Sequence, residues 1–262
     1  MRLYEDDKRL VSFSIKSVLR QTHSNLRVVV YCDGGQDVAW ITKKFADPRL
    51  SVTRGEVNLG RGGACNALLD LIPEDCHAFT WLDSDGDLYM PKALEVAAAA
   101  IVPVFDREFW AVRVRGSLEG GWKDKSMGAN LQSVSAAYHM DWQALIDGGV
   151  KRNHPYGRIG LGLYGRADTL YLPRFVKDKV RFDQRALCGE ETGWTRDVEQ
   201  WAINEYDLFG FNENRWAFVQ VYGGLEATHF HLRSSLQKYV GVARYSDFHG
   251  TYQTYKGFSN RF

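Results

Sequence analysis

The sequence predicts an α/β fold in which helices flank a mixed sheet, and two observations support this fold class. Residues 10–19 carry apolar side chains at helical spacing, and residues 26–31 form a β-branched run typical of a strand buried on both faces. A helix over 38–45 and a short strand over 50–53 repeat this order, which gives the β-α-β alternation of a doubly wound sheet. The 262 residues, 45% of them hydrophobic, suffice for one substantial core.

The same alternation continues toward the C-terminus. The patterns predict helices over 64–71 and 93–100, strands over 77–82 and 109–114, and a helix that ends near residue 203. Pro73 ends the first of these helices, because proline cannot continue one. We assign residues 1–235 to one domain and residues 236–262 to a polar, aromatic C-terminal tail.

The bulk composition excludes several classes of protein. The net charge of +1 and the pI of about 7.7 provide no overall field that would recruit nucleic acid or an anionic membrane. The four cysteines form no CxxC pair, which is typical of reduced thiols in a cytosol. No apolar run reaches the ~18 to 20 residues needed to span a bilayer, and the first residues are charged. We therefore expect a cytoplasmic protein without a transmembrane segment.

Three aspartates at alternate positions follow the predicted strand over 77–82, namely Asp83, Asp85 and Asp87. Side chains two residues apart on an extended segment point the same way, as joint ligation of one ion requires. Asp83 and Asp85 are therefore candidate ligands of a hard divalent cation, and oxygen ligands accept both Mg²⁺ and Mn²⁺.

A glycine-rich segment, Asn58-Leu-Gly-Arg-Gly-Gly-Ala-Cys-Asn66, precedes that strand and opens a helix. Such a loop exposes backbone N–H groups that suit a phosphate. Together with Leu-Asp83-Ser-Asp85, it resembles the "NxGxxxARN … DxD" pattern of family 2 glycosyltransferases of the GT-A type, which are inverting enzymes that use nucleotide sugars. The resemblance implies a GT-A (Rossmann-like) fold, a divalent cation, and donor contacts from four residues: Gly60, Arg61, Asn66 and Asp83.

One position departs from this pattern. The family's arginine before the asparagine is Cys65 here. We expect Arg61 or a more distant cation to supply the missing charge.

Asp33 lies in a turn at the carboxyl end of the predicted strand over 26–31, where α/β sheets bind ligands. The stretch from Ser17 to Gly34 is similar to the family's "SVLxQT … VVDDGS", whose aspartate meets the nucleotide base. The resemblance makes Asp33 the candidate base-binding residue. The alternative is that Asp33 only forms the turn.

The family's first strand normally precedes the first helix, and only residues 1–4 are available for it here. We therefore expect this strand to be short or missing. A sheet without its central first strand leaves backbone groups unpaired, so we expect the nucleotide pocket to be incomplete or to be completed by another chain.

A second acidic element contains Phe182-Asp183 and then Gly189-Glu190-Glu191-Thr-Gly-Trp194. It is similar to the family's "FDE … GEDxxW", which implies that Glu191 is the general base and that Glu190 and Trp194 bind substrate. A glutamate replaces the usual aspartate, so the reach of the base differs by one methylene. Alternatively, the two glutamates form a charged helix start that the helix macrodipole favours.

His229 and His231 share one face of a further predicted strand. The segment resembles the family's late "HxxS" element, in which a histidine can complete the metal shell. The resemblance therefore makes His231 the preferred metal ligand and His229 the alternative, whereas a lone histidine of this kind is otherwise structural.

Two features concern the acceptor. Trp122 lies between glycines and is either a stacking platform for a sugar or an ordinary loop anchor. Residues 151–185 contain nine basic and three acidic residues. This excess is either a solvated face or a contact surface for a polyanionic acceptor, such as a polysaccharide, a lipid-linked acceptor or a nucleic acid.

The resemblance as a whole implies a metal-dependent inverting glycosyltransferase that moves a sugar from a nucleoside diphosphate sugar to an acceptor hydroxyl. Three alternatives stay open: a non-catalytic sugar-nucleotide-binding or scaffold protein, a glycosyltransferase acting on modified bases in DNA, and a sugar-1-phosphate nucleotidylyltransferase. The last shares the α/β architecture but needs its glycine-rich loop at the first strand, where this chain has none.

Overall fold

The computed structural model describes residues 1–84, 87–115, 151–152, 170–185, 190–206, 215–222 and 229–231. The described helices are α1 (Lys8–Leu19), α2 (Ala39–Phe45), α3 (Gly60–Asp70), α4 (Ala93–Ile101) and α5 (Glu190–Tyr206). The described strands are β1 (Arg2–Leu3), β2 (Val28–Cys32), β3 (Leu50–Arg54), β4 (Ala78–Phe79), β5 (Asp87–Tyr89), β6 (Phe109–Arg115), β7 (Lys151–Arg152), β8 (Leu170–Pro173), β9 (Trp216–Tyr222) and β10 (His229–His231). Short 3-10 helices cover Val102–Val104 and Arg174–Asp178.

Within the described residues, the strands form a three-stranded sheet, a five-stranded sheet and a two-stranded pair. The strands β1, β2 and β3 are parallel, with Arg2 opposite Tyr31. The five-stranded sheet has the order β4-β8-β6-β9-β7, in which only β6 and β9 are parallel. The strands β5 and β10 pair antiparallel. This mixed α/β architecture with flanking helices confirms the predicted fold class.

Helix α1 contains the predicted residues 10–19 and begins two residues earlier, at Lys8. Its N-cap is Asp7, whose side chain accepts a hydrogen bond from the backbone N–H of Arg9 at 2.7 Å. Its buried apolar face consists of residues spaced by about one turn, namely Val11, Ile15 and Val18. The backbone N–H of Tyr89 donates to the hydroxyl of Ser17 at 3.1 Å, so α1 also anchors β5. The segment before β5 that contains Asp83 and Ser84 is called the acidic loop below.

Two element boundaries differ from the predicted ones in a way that matters for the site. Helix α3 begins at Gly60 rather than at residue 64, so the glycine-rich segment forms its first turn. The strand predicted over 77–82 is regular only at Ala78–Phe79, because β8 pairs with it at these two positions alone. The chain therefore reaches the acidic loop as irregular backbone.

The expectation of a short first strand is confirmed, since β1 contains only Arg2 and Leu3. The N-terminal ammonium of Met1 donates to the carbonyl of Val29 at 2.7 Å, in line with the pairing of β1 and β2. Burial lowers the pKa of this amino group to about 5. A mainly apolar cavity of about 380 Å³ lies beside Met1 and is lined by residues of β2, β4 and α4. The cavity therefore borders the part of β2 that β1 does not cover.

The core below the acidic loop is aromatic. Trp194 of α5 stacks on Phe182, with ring centroids 4.8 Å apart, and its indole N–H donates to the carbonyl of Val180 at 3.1 Å. Trp81 packs edge-on against both rings, at 5.2 and 5.9 Å. Helix α5, the segment over 180–183 and the approach to the acidic loop therefore form one packed unit.

No helix in the described part of the chain is both long and apolar enough to cross a membrane. The predicted loop around Trp122 and the predicted tail over 236–262 lie outside the described residues.

Candidate active site

Arg2 of β1 connects two acidic residues that the sequence places far apart. Its Nη1 lies 2.8 Å from Oε1 of Glu190, and its Nη2 lies 3.9 Å from Oδ1 of Asp83. Asp83 belongs to the predicted metal motif, and Glu190 begins the helix predicted to carry the base. The tertiary structure therefore brings the two predicted acidic elements to one place.

A second arginine contacts the same glutamate. The Nε of Arg61, in the first turn of α3, lies 2.9 Å from Oε1 of Glu190. Burial alone would raise the pKa of Glu190, but the positive charges of Arg61 and Arg2 outweigh burial and hold its pKa below the ordinary value. Glu190 is therefore a buried, ionised anchor. Arg61 and Arg2 thus place two positive charges beside Glu190, and it stays a prediction that they replace the charge missing at position 65.

Cys65 lies among these charges. Its Sγ is 3.5 Å from Nη1 of Arg2. Burial raises the pKa of Cys65 to about 12; Arg2 lowers it, and the negative charges of three nearby carboxylates raise it further, those of Glu190, Glu191 and Asp83. The thiol is therefore neutral.

Glu191 lies in the first turn of α5, beside Glu190, and is half-buried. This position agrees with both sequence interpretations, since a helix start favours acidic residues whether or not one of them is a base. The negative charge of Glu191, like that of Asp83, raises the pKa of Cys65.

Asp33 connects two loops. It is 3% exposed, and its Oδ1 accepts a hydrogen bond from the backbone N–H of Leu59 at 2.7 Å. Gly34 has a φ of +72°, and a Cβ there would lie 3.0 Å from the backbone nitrogen of Asn58. The turn predicted to meet the nucleotide base therefore packs against the segment predicted to meet the diphosphate.

The glycines of α3 have different roles. The backbone N–H of Gly60 donates to Oδ1 of Asn58 at 2.8 Å, and Gly60 has a φ of +73° at an open surface. A Cβ at Gly62 would lie 2.2 Å from the carbonyl oxygen of Asp183, so this glycine permits close contact with the segment over 180–183. Gly62, which the sequence analysis did not assign to the ligand, therefore serves packing.

Two residues predicted to bind substrate, Asn66 and Trp194, make packing contacts in the structure. The side-chain amide of buried Asn66 donates to the carbonyl of Phe182 at 3.0 Å and accepts from its N–H at 2.8 Å. Trp194 is 1% exposed and stacks on Phe182 as described above. Both side chains therefore fasten the segment over 180–183, because polar atoms that are satisfied by buried backbone are not available to a ligand.

The predicted histidine ligand lies beside the acidic loop in the backbone pairing. The antiparallel register of β10 and β5 places His231 opposite Asp87. Asp85 lies outside the described residues, and among those described no group of three or more His, Cys, Asp or Glu residues is arranged to hold a metal ion. The types of donor present, carboxylates and an imidazole, are ones that Mg²⁺ and Mn²⁺ accept, so the chemistry of the residues fits a divalent cation.

The structure describes the side chains of five basic residues in the segment over 151–185, and four of them are paired with carboxylates. Four of its basic residues form ion pairs: Arg174 and Lys177 with Glu74, Arg181 with Asp70, and Arg185 with Asp183. Lys177 is also buried. These ion pairs favour a structural role over contact with a polyanion.

Sequence reasoning missed three residues near the site, namely Arg2, Asp6 and Ser84. The hydroxyl of Ser84 donates to Oδ2 of Asp6 at 2.9 Å and to the carbonyl of Arg2. Nothing in the spacing of Arg2 or Asp6 indicates such distant partners. One indirect signal in the sequence pointed to Arg2: because position 65 has no arginine, a cation from elsewhere in the chain was expected near it.

The fold and the site together define a class of protein, the GT-A-type glycosyltransferases. The family model "Glycosyl transferase family 2" matches residues 6–139, just over half of the chain. The chain therefore belongs to glycosyl transferase family 2. None of the curated protein sequences compared with it matches.

Solved structures agree with this fold. A crystal structure of S. aureus TarS residues 1–349 has a TM-score of 0.54 and 16% sequence identity, covering 84% of this chain and 58% of that chain. A structure of TarS has a TM-score of 0.55 and 17% identity, covering 85% of this chain and 35% of that chain. A third structure, TarS 1–349 in complex with UDP, has a TM-score of 0.54 and 16% identity, covering 84% of this chain and 58% of that chain. This chain therefore spans less than two thirds of the structures it resembles, and the similarity concerns the fold.

Proposed function

We propose that this protein transfers a sugar from a nucleoside diphosphate sugar to an acceptor hydroxyl, with inversion at the anomeric carbon and with a divalent cation. The observation that carries this proposal is the contact of Arg2 with both Asp83 and Glu190. It joins the acidic loop to the start of α5, which supports assigning Glu191 and Asp83 to one site.

The donor contacts follow from the loops that meet at Asp33. Asp33 binds the nucleotide base, and Gly60 and Arg61 at the start of α3 lie beside the diphosphate, where a helix N-terminus and a guanidinium favour negative charge. That S. aureus TarS was crystallised in complex with UDP supports a uridine nucleotide as the first donor to test.

Asp83 and Asp85 would hold Mg²⁺ or Mn²⁺, with His231 from β10 as a further ligand. When bound, the cation stabilises the negative charge on the leaving diphosphate. Asp83 is 36% exposed at its side chain, so it is accessible to such a ligand while Arg2 limits its repulsion with Glu190.

Glu191 acts on the acceptor. Its carboxylate takes the proton of the attacking hydroxyl, which adds to the anomeric carbon on the face opposite the leaving diphosphate. Glu190 does not compete for that proton, because Arg61 and Arg2 keep its pKa low. Trp122 is a candidate platform for the sugar ring.

The acceptor is a hydroxyl compound, and the location is cytoplasmic as the composition predicts. The ion pairs of the basic segment give no support to a polyanionic acceptor.

The substitution Glu191→Gln tests this proposal. We expect kcat to fall by about 10² to 10⁴-fold, the usual contribution of a general base, while donor binding is largely retained. Turnover is measured with UDP sugars and Mn²⁺, and donor binding by the shift in melting temperature, because a ligand that binds the folded state raises it.

The matched control is Glu205→Gln, which removes an exposed glutamate from the other end of the same helix. It should leave kcat unchanged. A melting temperature that no nucleotide sugar moves, with or without Mn²⁺, would favour the scaffold alternative, and full turnover in Glu191→Gln would exclude Glu191 as the base.

A further inference from the structure

The guanidinium of Arg2 is a three-way contact inside the site. It is 2.8 Å from Glu190 of α5, 3.9 Å from Asp83 of the acidic loop and 3.5 Å from the thiol of Cys65 in α3. Its side chain is only 15% exposed. One residue of β1 thus contacts three of the elements that carry predicted site residues.

A buried carboxylate such as Glu190 requires this partner. An ionised group removed from water is costly unless it is paired and hydrogen-bonded. Its two arginines differ in exposure, since the side chain of Arg61 is 43% exposed and that of Arg2 is mostly buried. Arg61 can therefore turn toward a bound diphosphate, whereas Arg2 is confined to its protein contacts.

We propose that Arg2 is a positioning residue for the transfer reaction, which fixes the start of α5, and with it Glu191, relative to Asp83. This inference rests on the proposed function. Arg2 contacts neither reacting group in this proposal. It sets the distance between the base and the acidic loop, on which near-attack geometry depends to within about an ångström.

A substitution at Cys65 can supply a positive charge beside Glu190 from a different residue. Because Cys65 Sγ lies 3.5 Å from the guanidinium, an arginine at position 65 would place its own guanidinium in the same region. With Arg2 present, Cys65→Arg adds a third positive charge beside Glu190 and overfills a buried position. With Arg2 removed, the same substitution supplies the charge that Glu190 has lost.

Four variants test the inference: Arg2→Lys, Arg2→Ala, Cys65→Arg, and the double variant Arg2→Ala/Cys65→Arg. Lysine keeps the charge of Arg2 but has a single ammonium group that cannot span these contacts. We expect Arg2→Lys to fold, to lower kcat by about 10 to 10²-fold, and to change the donor KM by less than about threefold. We expect the double variant Arg2→Ala/Cys65→Arg to be more stable and more active than Arg2→Ala and than Cys65→Arg.

The control is Arg49→Ala, which removes a partly buried arginine that pairs with Asp47 away from the site. It should lower the melting temperature without a selective loss of kcat. The folding of each variant is checked by its melting temperature before kinetics are compared. If Arg2→Ala does not fold, Arg2→Lys and the double variant still decide the outcome.

The failures are distinguishable. A wild-type protein without transferase activity contradicts the proposed function. An active wild-type protein whose Arg2→Lys variant keeps its kcat overturns the positioning role alone. A loss of kcat in Arg2→Lys that Arg49→Ala reproduces also overturns it, because the effect would then be one of stability.

Discussion

At the residue scale, Asp33 combines structure and recognition in one carboxylate. Its Oδ1 holds the backbone N–H of Leu59 and so fixes the loop before α3. The proposed contact with the nucleotide base requires the same side chain. A substitution that removes the whole carboxylate would therefore mix the two roles.

The substitution Asp33→Asn separates them. The amide oxygen still accepts the Leu59 N–H, so we expect the melting temperature of the free protein to change little. The negative charge is lost, and the shift in melting temperature produced by a UDP sugar should fall markedly, measured by thermal denaturation with and without donor.

The comparison variant for Asp33→Asn is Asp47→Asn, at a carboxylate whose pKa the hydrogen bonds from Arg49 lower to about 2. It should leave the donor-induced shift intact. An undiminished shift in Asp33→Asn would remove Asp33 from the base-binding site.

At the element scale, Asn66 and Gly62 join α3 to the segment over 180–183. Asn66 makes two hydrogen bonds to the backbone of Phe182, and Gly62 lets the carbonyl of Asp183 approach the helix. The stacked pair of Phe182 and Trp194 extends this attachment to α5. The helix that carries Glu191 is thus positioned by buried contacts with residues distant in sequence.

The substitution Asn66→Ala leaves a buried N–H and a buried carbonyl of Phe182 without their partners. We expect a loss of about 2 to 6 kcal/mol in the free energy of unfolding, since each of the two unsatisfied buried groups costs roughly 1 to 3 kcal/mol. The free energy of unfolding of each variant is measured by urea denaturation. Asn204→Ala, at an exposed position of α5 whose side chain bonds to Gln200, should cost far less. Equal losses in the two variants would contradict the role assigned to Asn66.

At the scale of the whole molecule, the sheet holds a titratable group in its interior. The amino group of Met1 is buried against Val29, and burial lowers its pKa from 8.0 to about 5. The unfolded chain therefore binds more protons than the folded protein between about pH 5 and pH 8. Stability should rise with pH across this window, and the destabilisation should be complete below about pH 5.

Acetylation of the Met1 amino group tests this prediction, because an acetylated terminus does not titrate and the cavity beside Met1 offers space for the added group. The free energy of unfolding is measured by urea at pH 5.5 and pH 8 for both forms. The unmodified protein should gain more stability between these values than the acetylated one. An identical gain in both forms would assign the pH dependence to other groups.

The sequence by itself determined the α/β order of the elements and the short first strand. These follow from local patterns: helical spacing in α1, the β-branched run of β2, and the few residues before α1. The resemblance of its motifs to those of family 2 glycosyltransferases also named Asp33, Asp83 and Glu191 as candidate site residues, and their roles stay predictions.

Only the tertiary structure decided which side chains support the site and which pack the core. Arg2 joins Glu190 and Asp83, while Asn66 and Trp194, predicted to bind substrate, hold the segment over 180–183. The physical reason is that ion pairs and buried hydrogen bonds between residues distant in sequence depend on how the elements pack. Local periodicity carries no record of that packing.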